Sequence, residues 1–319
     1  MNLALLRSLI FLAALTPLLA QAADKPLRVY ILVGQSNMVG QGALSNMDYI
    51  GEDPATKELH QSMLNEQGDY RTCDRVWISS LNGKMRTTGG EGFGKLAPGY
   101  GNRKNSPSVP GECIGPEYTF GITMEKNYDG PILIIKAAWG GHSLCVDYRS
   151  PSAGPYVMPE AKVAKLKSNG SLAKHEAMNK EFTHKYYHAM MNHVQKVLGD
   201  IKRVYPDYDE SAGYELGGFV WFQAWNDYSA KMDYPDSAGE QQYAPYSELL
   251  AHFIRDARKD LDAPEMPFVI GVCGINGNHT PGTYGRQNPK ERMERFRNAM
   301  AAPADLPEFR GNVLSLIHI

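Results

Sequence analysis

Apolar residues in this chain gather into short continuous runs rather than alternating with polar ones. Five runs read as buried strands: Leu27 to Val33, Asp74 to Ser80, Pro131 to Ala138, Gly217 to Gln223 and Pro267 to Cys273. A strand that is apolar on both faces suits a parallel sheet covered on both sides, and helical segments do separate these runs. From Ala177 to Ile201 the residues Phe182, Tyr186, Met190, Val194, Val197 and Ile201 keep helical spacing, and Pro206 follows soon after. A second helix is predicted over Tyr246 to Leu261, with Leu249, Leu250, Phe253, Ile254 and Ala257 on its apolar face and Pro245 and Pro264 near its ends. A third, Pro289 to Ala301, precedes a last apolar stretch, Asn312 to Ile317. The pattern predicts an α/β fold in three layers, α/β/α, around a mostly parallel central sheet.

Two long segments rich in Gly, Pro and Asn, Asn82 to Gly115 and Asp147 to Gly170, show no strong period. In an open α/β sheet, loops that leave the carboxyl ends of strands surround the ligand crevice, so substrate contacts are expected there. No linker or internal repeat divides the chain. Residues 1–22 have the arginine, apolar core and Ala20-Gln21-Ala22 pattern of a secretory signal peptide, which leaves 23–319 as a single domain and predicts a secreted or periplasmic protein with no membrane span after cleavage.

A formal charge of −2, without a basic stripe, removes the electrostatic footprint that nucleic-acid binding needs. Cys73, Cys113, Cys145 and Cys273 allow three disulfide pairings in an oxidising compartment, and isolated thiols are an equal alternative. Neither CxxC nor CxxH spacing occurs, and His184-Lys-Tyr-Tyr-His188 lacks the glutamate of an HExxH site. No metal or organic cofactor is expected.

The chemistry-bearing residues stand at strand ends. The first run leads into VGQSNMVGQG, where Ser36 sits among small neighbours that let a hydroxyl protrude and main-chain N–H groups approach an oxyanion. The run from Pro131 leads into Trp139-Gly140-Gly141-His142-Ser143, and the run from Gly217 into Gln223-Ala224-Trp225-Asn226-Asp227. Glycine N–H groups and an asparagine amide can both stabilise an oxyanion, and a doubly wound sheet brings neighbouring carboxyl ends together.

The trio GQSNM, AAWGGHSL and WFQAWND resembles the SGNH hydrolase superfamily and, within it, the sialate O-acetylesterase-like carbohydrate acetylesterases. Segments around Glu117 (GPEYTFG) and Arg149 (VDYRSPSAG) add to the resemblance, which covers most of the chain from Leu27 onward. It implies a flavodoxin-like fold and a secreted serine esterase acting on acetylated oligo- or polysaccharide. Ser36 is the implied nucleophile; Gly140 or Gly141 and Asn226 are the implied oxyanion donors. Gln35, Gln223, Asp227 and Glu117 are the implied supporting residues, Glu117 holding the Ser36 turn. His142, Arg149 and His279 are candidate substrate contacts. Ala224 stands where similar proteins have glycine.

The resemblance also implies a DxxH block between the last strand and a closing helix. His318 has Ser315 three residues upstream instead of Asp, and His279 is a candidate base on topology alone. The chain is therefore expected to be a fragment that lacks the last strand, the Asp and His block and the closing helix. Two rivals stand beside the acetylesterase: a carbohydrate-binding relative without the base, and a general acyl esterase or lipase. The sugar and the oligomeric state are not legible in the sequence.

Overall fold

A computed structural model describes residues 25–83, 90–102, 111–274 and 290–317. In chain order the elements are β1 (Leu27–Gly34), α1 (Ser36–Val39), β2 (Gly42–Ala43), α2 (Lys57–Ser62), β3 (Val76–Gly83), β4 (Gly90–Lys95), β5 (Cys113–Ile114), α3 (Pro116–Asn127), β6 (Ile132–Trp139), α4 (Glu160–Ser168), α5 (Leu172–Phe182), α6 (Lys185–Gly199), β7 (Tyr214–Phe222), α7 (Trp225–Tyr228), α8 (Ala244–Asp260), β8 (Phe268–Val272), α9 (Lys290–Ala301) and β9 (Val313–Ile317). Seven strands form one sheet in the order β4-β3-β6-β1-β7-β8-β9, parallel except for β4, which runs antiparallel to β3. The strands β2 and β5 make a separate short antiparallel pair. The α/β reading with a mostly parallel sheet is borne out.

Apolar burial on both faces explains the continuous runs. On β1, Val29, Ile31 and Val33 pack into a core with α5, α6, α8 and α9, while Leu32 joins Met38, Val39, Tyr118 and Ile122 on the other face. The apolar face predicted for the second helix is buried along α8, from Leu249 to Ala257. No helix among the described residues is long and apolar enough to cross a membrane.

Several expectations are corrected. The segment Asn82 to Gly115 contains β4, whose GEGFGK sequence lacks the β-branched residues that announce a strand and is held by its ladder to β3. The segment Asp147 to Gly170 contains α4. The helix predicted over Ala177 to Ile201 is two helices. His184, with φ +65°, breaks it, and main-chain carbonyls of Val146 and Asp147 receive the N–H groups of His184 (3.3 Å) and Tyr186 (3.0 Å). The last apolar stretch, Val313–Ile317, pairs in parallel with β8 at the edge of the described sheet, with Leu314 and Leu316 exposed. The four cysteines are free thiols.

Candidate active site

The candidate site is assembled by strand register. In the two parallel ladders that flank β1, Gly34 pairs with Ala138 of β6 on one side and with Phe222 of β7 on the other. β1 and β7 thus end level on this line, and β6 runs one residue past it. Ser36, Gly140 and Ala224 each lie two residues beyond that line, so the sequences singled out around them open at one edge of the sheet. A Cβ on Gly34 would lie 2.1 Å from the carbonyl oxygen of Phe222, so only glycine lets the chain turn there.

The turn itself is a single helical turn, α1, begun by Ser36 and capped by Gln35. The Gln35 carboxamide oxygen accepts the Ser36 main-chain N–H (2.6 Å) and also the Ser36 hydroxyl. Gln35 is 1% exposed, and its amide nitrogen has no hydrogen-bond partner among the described residues. The turn closes at Gly40, φ +85°, which lies back to back with Gly115.

Beneath the turn, Lys136 and Glu117 form an ion pair of 2.6 Å with both side chains fully buried. The Lys136 ammonium also donates to the carbonyls of Val39 (2.9 Å) and Tyr100 (3.1 Å), while Glu117 accepts the Gly115 N–H (2.9 Å). The pair therefore joins the end of α1, the 96–102 loop and the start of α3 to β6. Glu117, expected to hold the Ser36 turn, reaches the end of that turn through Lys136, which it pairs with and which donates to the Val39 carbonyl. Lys136 was not singled out in the sequence, because it lies inside an apolar run, ILIIKAAW, where a buried cation is itself the missed signal.

At the second strand end, hydrogen bonding distinguishes the two glycines. The Gly140 N–H donates to the Gly83 carbonyl (3.2 Å), which extends the β3–β6 ladder, whereas the Gly141 N–H has no partner among the described residues. A Cβ on Gly140 would stand 3.8 Å from the Ser36 Cβ, so this glycine faces the serine directly.

The third strand end supplies the brace between loops. Asp227 is fully buried and accepts four hydrogen bonds: from the N–H groups of Leu144 (2.7 Å) and Cys145 (2.9 Å), from the Gln223 amide (2.6 Å) and from the Tyr234 hydroxyl (3.0 Å). Gln223 in turn donates to the His142 carbonyl (3.1 Å). Burial pushes the Asp227 carboxyl up to about 6, against the opposing pull of those donors. Asn226, next to it, is half-buried, and its amide has no partner among the described residues. The structure thus separates a bracing residue, Asp227, from a neighbour whose amide remains available.

Residues 26–308 match the family described as carbohydrate esterase, sialic acid-specific acetylesterase. The chain belongs to this carbohydrate esterase family. Among solved structures, one protein from Arabidopsis thaliana is 13% identical over 92% of this chain and 85% of that one, with a TM-score of 0.45. A protein titled a carbohydrate acetylesterase from Xanthomonas citri is 14% identical over 91% of this chain, TM-score 0.46, and this chain matches 49% of its length. No curated protein matches.

Arg149 and His142, both expected to contact substrate, have partners within the chain. Arg149 donates to three main-chain carbonyls, of Gly154, Ala153 and Cys145, and so braces the loop that contains them. His142 is 2% exposed, hydrogen-bonded through Nδ1 to Asp147 (3.0 Å) and stacked on Tyr186 with ring centroids 3.7 Å apart. His279 and His318 lie outside the described residues. Among the described residues no group of three or more His, Cys, Asp or Glu is placed to hold a metal ion.

Proposed function

We propose that this carbohydrate esterase is a secreted serine O-acetylesterase that removes acetyl groups from oligo- or polysaccharide. The observation that carries the reading is the shared register of Gly34, Ala138 and Phe222, because it brings a serine turn, a glycine pair and an asparagine amide to one edge. Ser36 Oγ attacks the acetyl carbonyl carbon as a base removes its proton. The carbonyl oxygen becomes an oxyanion, held by the Gly141 N–H and the Asn226 amide, with the Ser36 N–H joining once Gln35 releases it. Collapse breaks the bond to the sugar oxygen, which takes the proton from the base, and water then hydrolyses the acetyl-serine by the same route. The base is a histidine outside the described residues. Residues 1–22 act as the export signal.

Ser36→Ala tests the assignment: release of acetate from an acetylated oligosaccharide and from 4-nitrophenyl acetate should both vanish, and retention of full activity sinks it. One observation favours a second reading, a carbohydrate-binding relative without turnover. Among the described residues the Ser36 hydroxyl is held by Gln35 and by no histidine. Saturable oligosaccharide binding with no acetate release would select that reading.

A further inference from the structure

A buried tyrosine hydroxyl joins the serine turn to the loop that carries the Gly141 N–H. Tyr148 is fully buried, and its hydroxyl donates to the Gly34 carbonyl at 2.6 Å. The main chain of Trp139, the last residue of β6, hydrogen-bonds to the same hydroxyl. One partner therefore stands two residues before Ser36 and the other two residues before Gly141. Buried tyrosines ordinarily find a partner for the hydroxyl, so the bond alone marks only good packing. Its place, where β1 and β6 part, gives it a consequence for the site.

Both ends of the link are held. The Tyr148 ring meets Trp221 edge-on with centroids 5.3 Å apart, and lies 6.3 Å from the Trp139 ring and 6.1 Å from that of Tyr186. Those rings come from β7, β6 and α6, so the hydroxyl has little freedom to move. The loop that ends in Tyr148 is closed on itself, because the Ser143 carbonyl accepts the N–H groups of Asp147 (3.1 Å) and Tyr148 (2.9 Å). Asp227 pins the middle of that loop through Leu144 and Cys145. A shift of the Gly34 carbonyl therefore moves the serine turn against a loop that does not follow it. An oxyanion donor works only when it lies about 2.7–3.1 Å from the oxygen it will hold, so this relative placement is what the chemistry needs.

Resting on the acetylesterase reading, we propose that Tyr148 is a positioning residue of that reaction: by holding the Gly34 carbonyl, its hydroxyl sets the separation between Ser36 Oγ and the Gly141 N–H. Being fully buried, it touches neither substrate nor the reacting atoms. Its effect falls on the transition state, where that separation matters, rather than on ground-state binding.

The test removes one hydroxyl at each end of β1, in the full chain. Tyr148→Phe deletes the bond to Gly34, and Tyr128→Phe deletes a bond of the same kind to the Pro26 carbonyl (2.5 Å), beside the opposite end of the strand. Both kcat and KM are measured on an acetylated oligosaccharide and on 4-nitrophenyl acetate. Misplacing a reacting group by about 1 Å can cost about 10²-fold, so Tyr148→Phe should lower kcat about ten- to a hundredfold on both esters, with KM within about twofold of the parent. Tyr128→Phe should keep kcat within about twofold. 4-Aminophenylalanine at position 148 restores a donor in the same place and should recover kcat. Unchanged kcat in Tyr148→Phe, a loss confined to KM, an equal loss in Tyr128→Phe, no recovery with the amino analogue, or a Tyr148→Phe protein that does not fold overturns the proposal. If the parent hydrolyses neither ester, the esterase reading falls. The positioning role then stands if a fluorophosphonate labels Ser36 more slowly in Tyr148→Phe than in Tyr128→Phe, and falls if it does not.

Discussion

The Lys136 ammonium lies 2.6 Å from a Glu117 carboxylate oxygen, and neither side chain is exposed at all. Removing one member of such a pair leaves a buried charge without compensation, which typically costs about 3–5 kcal/mol, whereas replacing both with apolar groups can be close to neutral. Lys136→Met should therefore unfold at a far lower urea midpoint than the parent, and Lys136→Met with Glu117→Leu should recover much of the loss. A double variant no more stable than the single one would show that the pair's worth lies in its bonds to Val39, Tyr100 and Gly115 rather than in its charge.

Gly40 is predicted to be irreplaceable. Its φ of +85° strains any L side chain, and an added Cβ would lie 2.2 Å from the Gly115 Cα. Gly40→Ala should cost at least about 2 kcal/mol in denaturant unfolding and displace the Ser36 turn, with an activity loss larger than the stability loss explains.

Asn226→Ala should lower kcat by about 10²–10³, the usual effect of losing one oxyanion donor, with little change in KM. Asp227→Ala should instead weaken both stability and kcat, because it leaves the N–H groups of Leu144 and Cys145 unpaired. Steady-state kinetics on an acetylated sugar separate the two. Equal KM and kcat effects for Asn226→Ala would place that amide in ground-state binding.

The acidity of Asp227 sets a pH dependence with opposite signs for activity and stability. Burial raises its folded value from 3.8 to about 6. The folded state thus holds this proton more tightly than the unfolded chain does, so this residue's contribution to stability is fully present below about 3.8 and is lost as pH rises towards about 6. Its bracing role needs the ionised form, so activity should fall as pH drops through about 6. Parallel pH profiles of kcat and of the urea midpoint, each compared with Asp227→Asn, check this. An acid limb unchanged in the variant would assign it to another group.

Much of the architecture was legible because burial on both faces writes itself as apolar runs. The strand ends around Ser36, Gly140 and Asn226 could be found that way. α3 could not, because its core-facing side carries Glu117 and Glu125, made tolerable by Lys136 and Arg71 rather than by apolarity. The break between α5 and α6 was equally hidden, since the loop carbonyls that impose it are remote in sequence. Gly140 and Gly141 look alike as letters and differ in whether their N–H groups are already bonded and in backbone, Gly141 having φ +84°.

The ladders that align Gly34 with Ala138 and Phe222 join segments far apart in the chain. Contacts of that kind are entropically late, because the long intervening loops must close before pairing rewards them. Helices α5, α6 and α8 can gain their hydrogen bonds locally, but the serine turn has no neighbours until the middle of the sheet is complete. During refolding, far-ultraviolet ellipticity should therefore recover ahead of reactivity at Ser36, which would make this serine a clock for the slowest step of assembly.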